Sequence, residues 1–188
     1  MNVQNNIESI LKNNPLIPVV TLNNAEQTKD TLATLKAKNI SCIEITLRTE
    51  KAFDCISFAK KIVGNEFSIG VGTITNADQI EQCKALNVDF MVSPGSSTTL
   101  VQKMQDTGIP YLPGVMTPSE IMQMMALNCK FLKLFPYNLA GSNTALKTYQ
   151  GLFPGIKFCP TGGIGNKNFN EVLKMKNVIS VGGSWLAK

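Results

Sequence analysis

The 188-residue sequence predicts an α/β fold, a small (β/α)8 TIM barrel formed by one domain, residues 1–188. Three observations predict it. Eight short β-rich runs recur, their starts 20 to 26 residues apart. Segments of helical periodicity lie between them. No linker or low-complexity stretch divides the chain. Strict alternation of strand and helix implies right-handed crossovers and a parallel sheet. Eight repeats favour a closed barrel over an open sheet.

The β-rich runs are Ile17–Leu22, Cys42–Arg48, Ser68–Ile74, Asp89–Pro94, Tyr111–Val115, Phe131–Pro136, Lys157–Thr161 and Val178–Ser184. The helical segments are Ala25–Lys38, Glu50–Ile62, Asn76–Leu86, Ser97–Thr107, Pro118–Leu127, Ser142–Gln150 and Lys167–Lys174. Thr117-Pro118-Ser119-Glu120 joins an N-cap threonine, a proline at the first helical position and a glutamate three residues after the cap. Thr49 before Glu50 reads as a second cap. Lys188 follows the eighth run by four residues, where a barrel places its last helix. Ile7–Lys12 can cover only one end. The expectation is a truncated chain, or a barrel that lacks this helix and leaves its eighth strand exposed or covered by a neighbouring subunit.

Composition narrows the classes. The chain is 44% apolar and 16% charged, an ordinary globular balance. No apolar run approaches the roughly 20 residues of a membrane span. Met1–Asn6 has neither a basic start nor an apolar core, so it does not read as a signal peptide. Cys42, Cys55, Cys83, Cys129 and Cys159 form no CxxC pair and read as reduced core residues of a cytoplasmic protein. There is no histidine, which removes the commonest general base and metal ligand. The net charge of +5 comes from scattered lysines, which fits a small anionic substrate better than nucleic acid. Seventeen of the 18 basic residues are lysine and Arg48 is the sole arginine. Only a guanidinium grips a carboxylate or phosphate through two parallel hydrogen bonds.

Barrel enzymes carry their chemistry at the C-terminal ends of strands. In the second run, alternation puts Ile43, Ile45 and Leu47 on one face and Cys42, Glu44, Thr46 and Arg48 on the other. The aliphatic face suits the helical layer, so the polar face points inward. A carboxylate there must be paired or needed. Either a structural ion pair with Arg or Lys or a working carboxylate satisfies that. Glu44 and Arg48 lie about 13 Å apart along a strand, at roughly 3.3 Å per residue, too far to pair directly. In the sixth run Lys133 shares a face with Phe131 and Phe135. Desolvation there favours the neutral amine, the form that attacks a carbonyl. The alternative is an edge-strand lysine in solvent, which a closed barrel lacks. Thr161-Gly162-Gly163 and Gly182-Gly183-Ser184 end runs seven and eight, where barrels commonly bind phosphate, though glycines also serve tight turns. Thr73 and Pro94, at the ends of runs three and four, offer a hydroxyl and a rigid wall.

Glu44-Ile45-Thr46-Leu47-Arg48-Thr49, Gly72-Thr73, Ser93-Pro94-Gly95, Lys133-Leu134-Phe135-Pro136, Cys159-Pro160-Thr161-Gly162-Gly163-Ile164 and Gly182-Gly183-Ser184-Trp185, in this order, resemble the 2-keto-3-deoxy-6-phosphogluconate (KDPG) aldolase / 4-hydroxy-2-oxoglutarate aldolase family. The likeness runs from about Ile17 to Trp185. It implies a class I aldolase in which Lys133 forms a Schiff base and Glu44 shuttles protons. Arg48 and Thr73 would hold the keto-acid carboxylate, with Pro94 and Phe135 walling the pocket. Thr161, Gly162, Gly163, Gly183 and Ser184 would take the distal phosphate. It further implies a homotrimer needing no cofactor or metal, with no nucleic-acid or membrane partner. The chain departs from the family at Tyr137-Asn138, where Ala-Glu is usual, and at Ala140-Gly141; both bear on substrate length and stereochemistry. Two other classes share the glycine pairs: a phosphosugar isomerase or synthase, and a non-catalytic phosphosugar-binding barrel. Neither requires Lys133.

Overall fold

The computed structural model describes residues 3–64 and 67–188. Met1 and Asn2, part of the polar start read above, lie outside them. The strands are β1 (Leu16–Val20), β2 (Cys42–Thr46), β3 (Ser68–Gly72), β4 (Phe90–Val92), β5 (Tyr111–Leu112), β6 (Gly114–Val115), β7 (Phe131–Leu134), β8 (Lys157–Pro160) and β9 (Val181–Gly183). The helices are α1 (Val3–Asn13), α2 (Ala25–Ala37), α3 (Ala52–Val63), α4 (Ala77–Ala85), α5 (Thr98–Asp106), α6 (Pro118–Ala126), α7 (Ser142–Leu152) and α8 (Phe169–Leu173). All eight β-rich runs form strands, and all paired strands are parallel.

The fifth run is broken in two. Pro113 has no N–H for the ladder, so regular pairing stops there. Before it, β5 pairs with β4; after it, β6 pairs with β7. The result is a six-stranded sheet, β5-β4-β3-β2-β1-β9, and a three-stranded sheet, β6-β7-β8. The backbone passes from one sheet to the other through Pro113, whose carbonyl accepts from Lys133 N at 2.9 Å. At the opposite seam two isolated bridges, Phe158 to Val178 and Thr161 to Gly182, join β8 to the β9 segment.

Side chains separate into two layers, as period-two alternation requires. Ile43, Ile45, Ile69, Val71, Leu132 and Leu134 pack outward into the helical layer. Cys42, Phe90, Val92, Leu112, Phe131 and Cys159 form a second cluster with Ile7 and Leu11 of α1. Helix α1 therefore seals the N-terminal end of the strands, the one end its position allowed.

Two expectations are corrected. Thr49 is not a side-chain cap: α3 starts at Ala52, and the Thr49 hydroxyl donates instead to Leu22 O at 2.7 Å. It ties the loop after β2 to the loop after β1. The eighth strand is not exposed either. Val181 is fully buried within this one chain, and a 3-10 turn, Ser184–Ala187, packs against β1 and α2 after it. The Trp185 ring meets Phe169 of α8, their centroids 5.9 Å apart.

The capping box at α6 forms as read. Glu120 N donates to Thr117 Oγ1 at 3.4 Å, and Glu120 Oε2 accepts from Thr117 N and Met116 N at 2.7 Å each. Burial opposes the charge on Glu120, but the two amides and the Thr117 hydroxyl outweigh it and hold the carboxyl below its ordinary value. A depressed folded-state value means the stabilisation is complete above the unfolded value, about 4.3, and is lost as pH falls through the folded value. Glu120→Gln is expected to lower the melting temperature at pH 7. The two melting curves converge below about pH 4; a constant gap across that range contradicts the cap's charge dependence.

Candidate active site

Strand β2 positions Glu44. With Ile43 and Ile45 held in the outer core, Glu44 and Thr46 must face inward, and they are 3% and 1% exposed. The space for the carboxylate is made on β3. A Cβ built on Gly72 would overlap Glu44 Oε1 and lie 2.7 Å from Cδ. Thr46 pairs by hydroxyl with Thr21 of the loop after β1, at 2.8 Å. The sequence had placed Thr46 on this face but gave no sign of its partner.

Strand β7 positions Lys133, with Gly114 and Cys159 beside it in register. Its ammonium donates to Glu44 Oε1 at 3.0 Å and Oε2 at 3.4 Å, both side chains being almost wholly buried. It also lies 5.2 Å from the centroid of the Phe135 ring. Glu44 thus finds its partner 89 residues away, the lysine of the ion-pair alternative. Two charges this deep must compensate each other, since an isolated one would carry a penalty of several kcal/mol. The neighbouring Cys159 thiol is pushed up to about 11, chiefly by burial, so it stays protonated beside the pair.

A cavity of about 400 Å³ opens at the C-terminal ends of β1, β2, β7, β8 and β9. Arg48, Phe135, Thr161, Gly162, Gly163, Gly183 and Ser184 line it, together with Thr21, Gln27 and Thr31. Neither Lys133 nor Glu44 is part of this lining; the Phe135 ring, which is, has its centroid 5.2 Å from Lys133 Nζ. Arg48 itself is exposed at the lining of the opening. Thr73 and Pro94 are not part of this lining; both are half-buried at the ends of β3 and β4. Thr73 has φ +66°, a left-handed backbone that a β-branched residue adopts only under strain, of order 1–3 kcal/mol. Such strain clusters at working sites.

The turn after β8 has the polarity of an anion cradle. Gly162 and Gly163 take φ +98° and +75°, where glycine is at ease. Every carbonyl of the turn is engaged on its outer side: Thr161 O accepts from Tyr137 N, Gly162 O from Asn138 N, and Gly163 O from Asn168 Nδ2. The N–H groups of Gly162 and Gly163 have no acceptor among the described residues. Carbonyls turned away and amides left open are what a phosphate needs from backbone. Among the described residues no three His, Cys, Asp or Glu side chains gather as a metal-ligand set, and no helix is long and apolar enough to cross a membrane.

Comparison with known proteins agrees along nearly the whole chain. Residues 7–188 match the family model described as KDPG and KHG aldolase. The chain is 37% identical over 185 residues to the 2-dehydro-3-deoxy-phosphogluconate aldolase of Dickeya dadantii, covering 98% of this chain and 86% of that one. It is 36% identical over the same length to the KHG/KDPG aldolase of Escherichia coli, with the same coverage. The crystal structure of the KDPG aldolase of Legionella pneumophila, with pyruvate captured as a covalent carbinolamine, superposes with a TM-score of 0.92 at 35% identity, over 95% of this chain and 86% of that chain. On these grounds the chain belongs to the KDPG and KHG aldolase family.

Proposed function

We propose that this protein is a class I aldolase that cleaves KDPG to pyruvate and glyceraldehyde 3-phosphate, and also accepts 4-hydroxy-2-oxoglutarate. The buried Lys133–Glu44 contact at 3.0 Å carries the reading. A proton passed from Nζ to the carboxylate leaves a neutral amine beside a filled base. The amine attacks the C2 carbonyl carbon of the keto acid, and the Glu44 carboxyl returns its proton to the departing hydroxyl, so that loss of water leaves an iminium beside a free carboxylate. Glu44, through water, takes the proton of the C4 hydroxyl as the C3–C4 bond breaks. The bond's electrons move to the iminium nitrogen, the aldehyde departs, and an enamine remains. Protonation at C3 restores the iminium, which water hydrolyses to pyruvate and free Lys133. No step requires a metal or cofactor.

The other roles follow from position. Arg48 and Thr73 hold the keto-acid carboxylate, and the strain at Thr73 supports that role. Pro94 and Phe135 wall the reacting carbons. Thr161, Gly162, Gly163, Gly183 and Ser184 bind the distal phosphate, supported by the open amides of the glycine turn. The test is reductive trapping. Pyruvate with borohydride is expected to leave one covalent adduct, mapped to Lys133 by peptide mass spectrometry. No adduct there sinks the reading and favours an isomerase, a synthase or a non-catalytic phosphosugar binder.

We further propose that residues 1–188 form one closed (β/α)8 domain. Continuity through Pro113 and the two bridges between β8 and β9 support closure. Slow hydrogen exchange at the seam amides of Phe158 and Ile179 is expected; fast exchange there means an open seam. A homotrimer is the proposed assembly, in keeping with the apolar strip that Met122 and Met125 expose on α6. Light scattering decides it. Five free, buried cysteines support a reducing, cytoplasmic location, which cell fractionation tests.

A further inference from the structure

The loop after β7 is built into the glycine turn. Tyr137 N and Asn138 N donate to Thr161 O and Gly162 O at 2.9 and 3.2 Å. The Asn138 side chain lies against Gly163, where a Cβ would come within 2.6 Å of it. The Tyr137 side chain is 3% exposed and runs the other way, its hydroxyl donating to Asn143 Oδ1 of α7 at 2.7 Å. Asn143 Nδ2 in turn donates to Glu171 Oε1 of α8 at 2.6 Å. The carboxylate accepts only, so it fixes which end of the Asn143 amide it meets and leaves Oδ1 for the tyrosine. The circuit closes through Asn168, next to the start of α8, which donates to Gly163 O at 3.1 Å and accepts from Gly165 N at 2.8 Å.

We infer that the Tyr137–Asn143–Glu171 chain is a positioning device that holds the Thr161–Gly163 turn with its amides open, and so sets the preference for phosphorylated over unphosphorylated substrate. The turn is held from both flanks: by Tyr137 from the β7 side and by α8 from the other. Glycine supplies no side chain to hold itself, and two consecutive left-handed residues are reached only from a wide range of alternatives. A hydrogen-bonded frame removes those alternatives before the anion arrives. Tyr137 touches no reacting atom, so its effect belongs to the phosphate end alone. The inference rests on the proposed phosphate site.

Tyr137→Phe keeps the buried ring and removes the hydroxyl. Losing one such link is expected to raise KM for KDPG about 3- to 10-fold with kcat little changed. Turnover of 4-hydroxy-2-oxoglutarate, which has no phosphate, should stay within twofold. Glu171→Gln retains an acceptor and is expected to keep KM near the parent value, whereas Asn143→Asp sets two carboxylates against each other and should match Tyr137→Phe. An equal loss on both substrates, or no change on either, overturns the inference. Calorimetric titration with inorganic phosphate separates it from the aldolase reading. If the parent binds phosphate but turns over neither substrate, the aldolase reading fails, and weaker phosphate binding by Tyr137→Phe still supports the frame. Equal phosphate affinity of parent and variant, or no binding by the parent, overturns the frame.

Discussion

Lys133→Ala is expected to abolish cleavage and to destabilise the fold, two losses with different causes. The first is chemical. Without the amine there is no iminium to accept the electrons of the C3–C4 bond, and turnover should fall on the order of 10⁴-fold or more. The second is electrostatic. Glu44 is 3% exposed, and among the described residues Lys133 is the cation within hydrogen-bond reach of it. Removing one partner of a buried ion pair costs about 3–5 kcal/mol, because the remaining charge is left uncompensated. Combining Lys133→Ala with Glu44→Gln removes that charge, so the double variant should regain stability in denaturant unfolding yet stay inactive. Lys133→Ala activity within tenfold of the parent contradicts the mechanism. A single variant as stable as the parent contradicts the buried pair.

Gly72→Ala is expected to cost nearly as much activity by adding one methyl group. That methyl would occupy the place of Glu44 Oε1, and β3 is hydrogen-bonded in register to β2 along its whole length, so the backbone cannot retreat. The carboxylate must swing away instead, losing its contact with Lys133. Overpacking of this kind costs about 1–3 kcal/mol. Misplacing a general acid–base costs about 10²- to 10⁴-fold in rate. Gly151→Ala is the control: it lies in α7 with open space around it, and should stabilise the helix slightly without touching kcat. If Gly72→Ala keeps full kcat, Glu44 is not held where the mechanism needs it.

Much of this molecule was legible in its sequence, for reasons that differ by element. The strands were readable because each has a buried aliphatic face, and the alternation that places Ile43 and Ile45 outward necessarily turns Glu44 inward. Lys133 was readable for the same reason. Capping at Thr117 was readable because the box is local, four residues satisfying one another. Thr49 looked equally local and was not: its hydroxyl had a better acceptor, Leu22 O, on a neighbouring loop that no sequence window contains. The burial of the eighth strand was not legible because it comes from the Ser184–Ala187 turn folding back on β1 and α2, segments far away in the sequence. The Lys133–Glu44 partnership, the space Gly72 leaves, and the Tyr137–Asn143–Glu171 chain are all relations between distant segments. Each depends on register across strands or on which helix follows which loop. A single sequence carries no direct record of that.

Helix α1 has a further consequence. Ile7 and Leu11 pack on Phe90, Phe131 and Cys159 at the N-terminal ends of the strands, the side away from the cavity. In the proposed reaction the three-carbon keto-acid fragment stays covalently attached at Lys133. The phosphorylated aldehyde occupies the mouth. Departure in the proposed reaction is then ordered: the aldehyde leaves through the opening first, and pyruvate follows once the iminium is hydrolysed. Product inhibition should show that order, with pyruvate competing against the keto-acid substrate for the free enzyme and the aldehyde trapping the enamine in reverse.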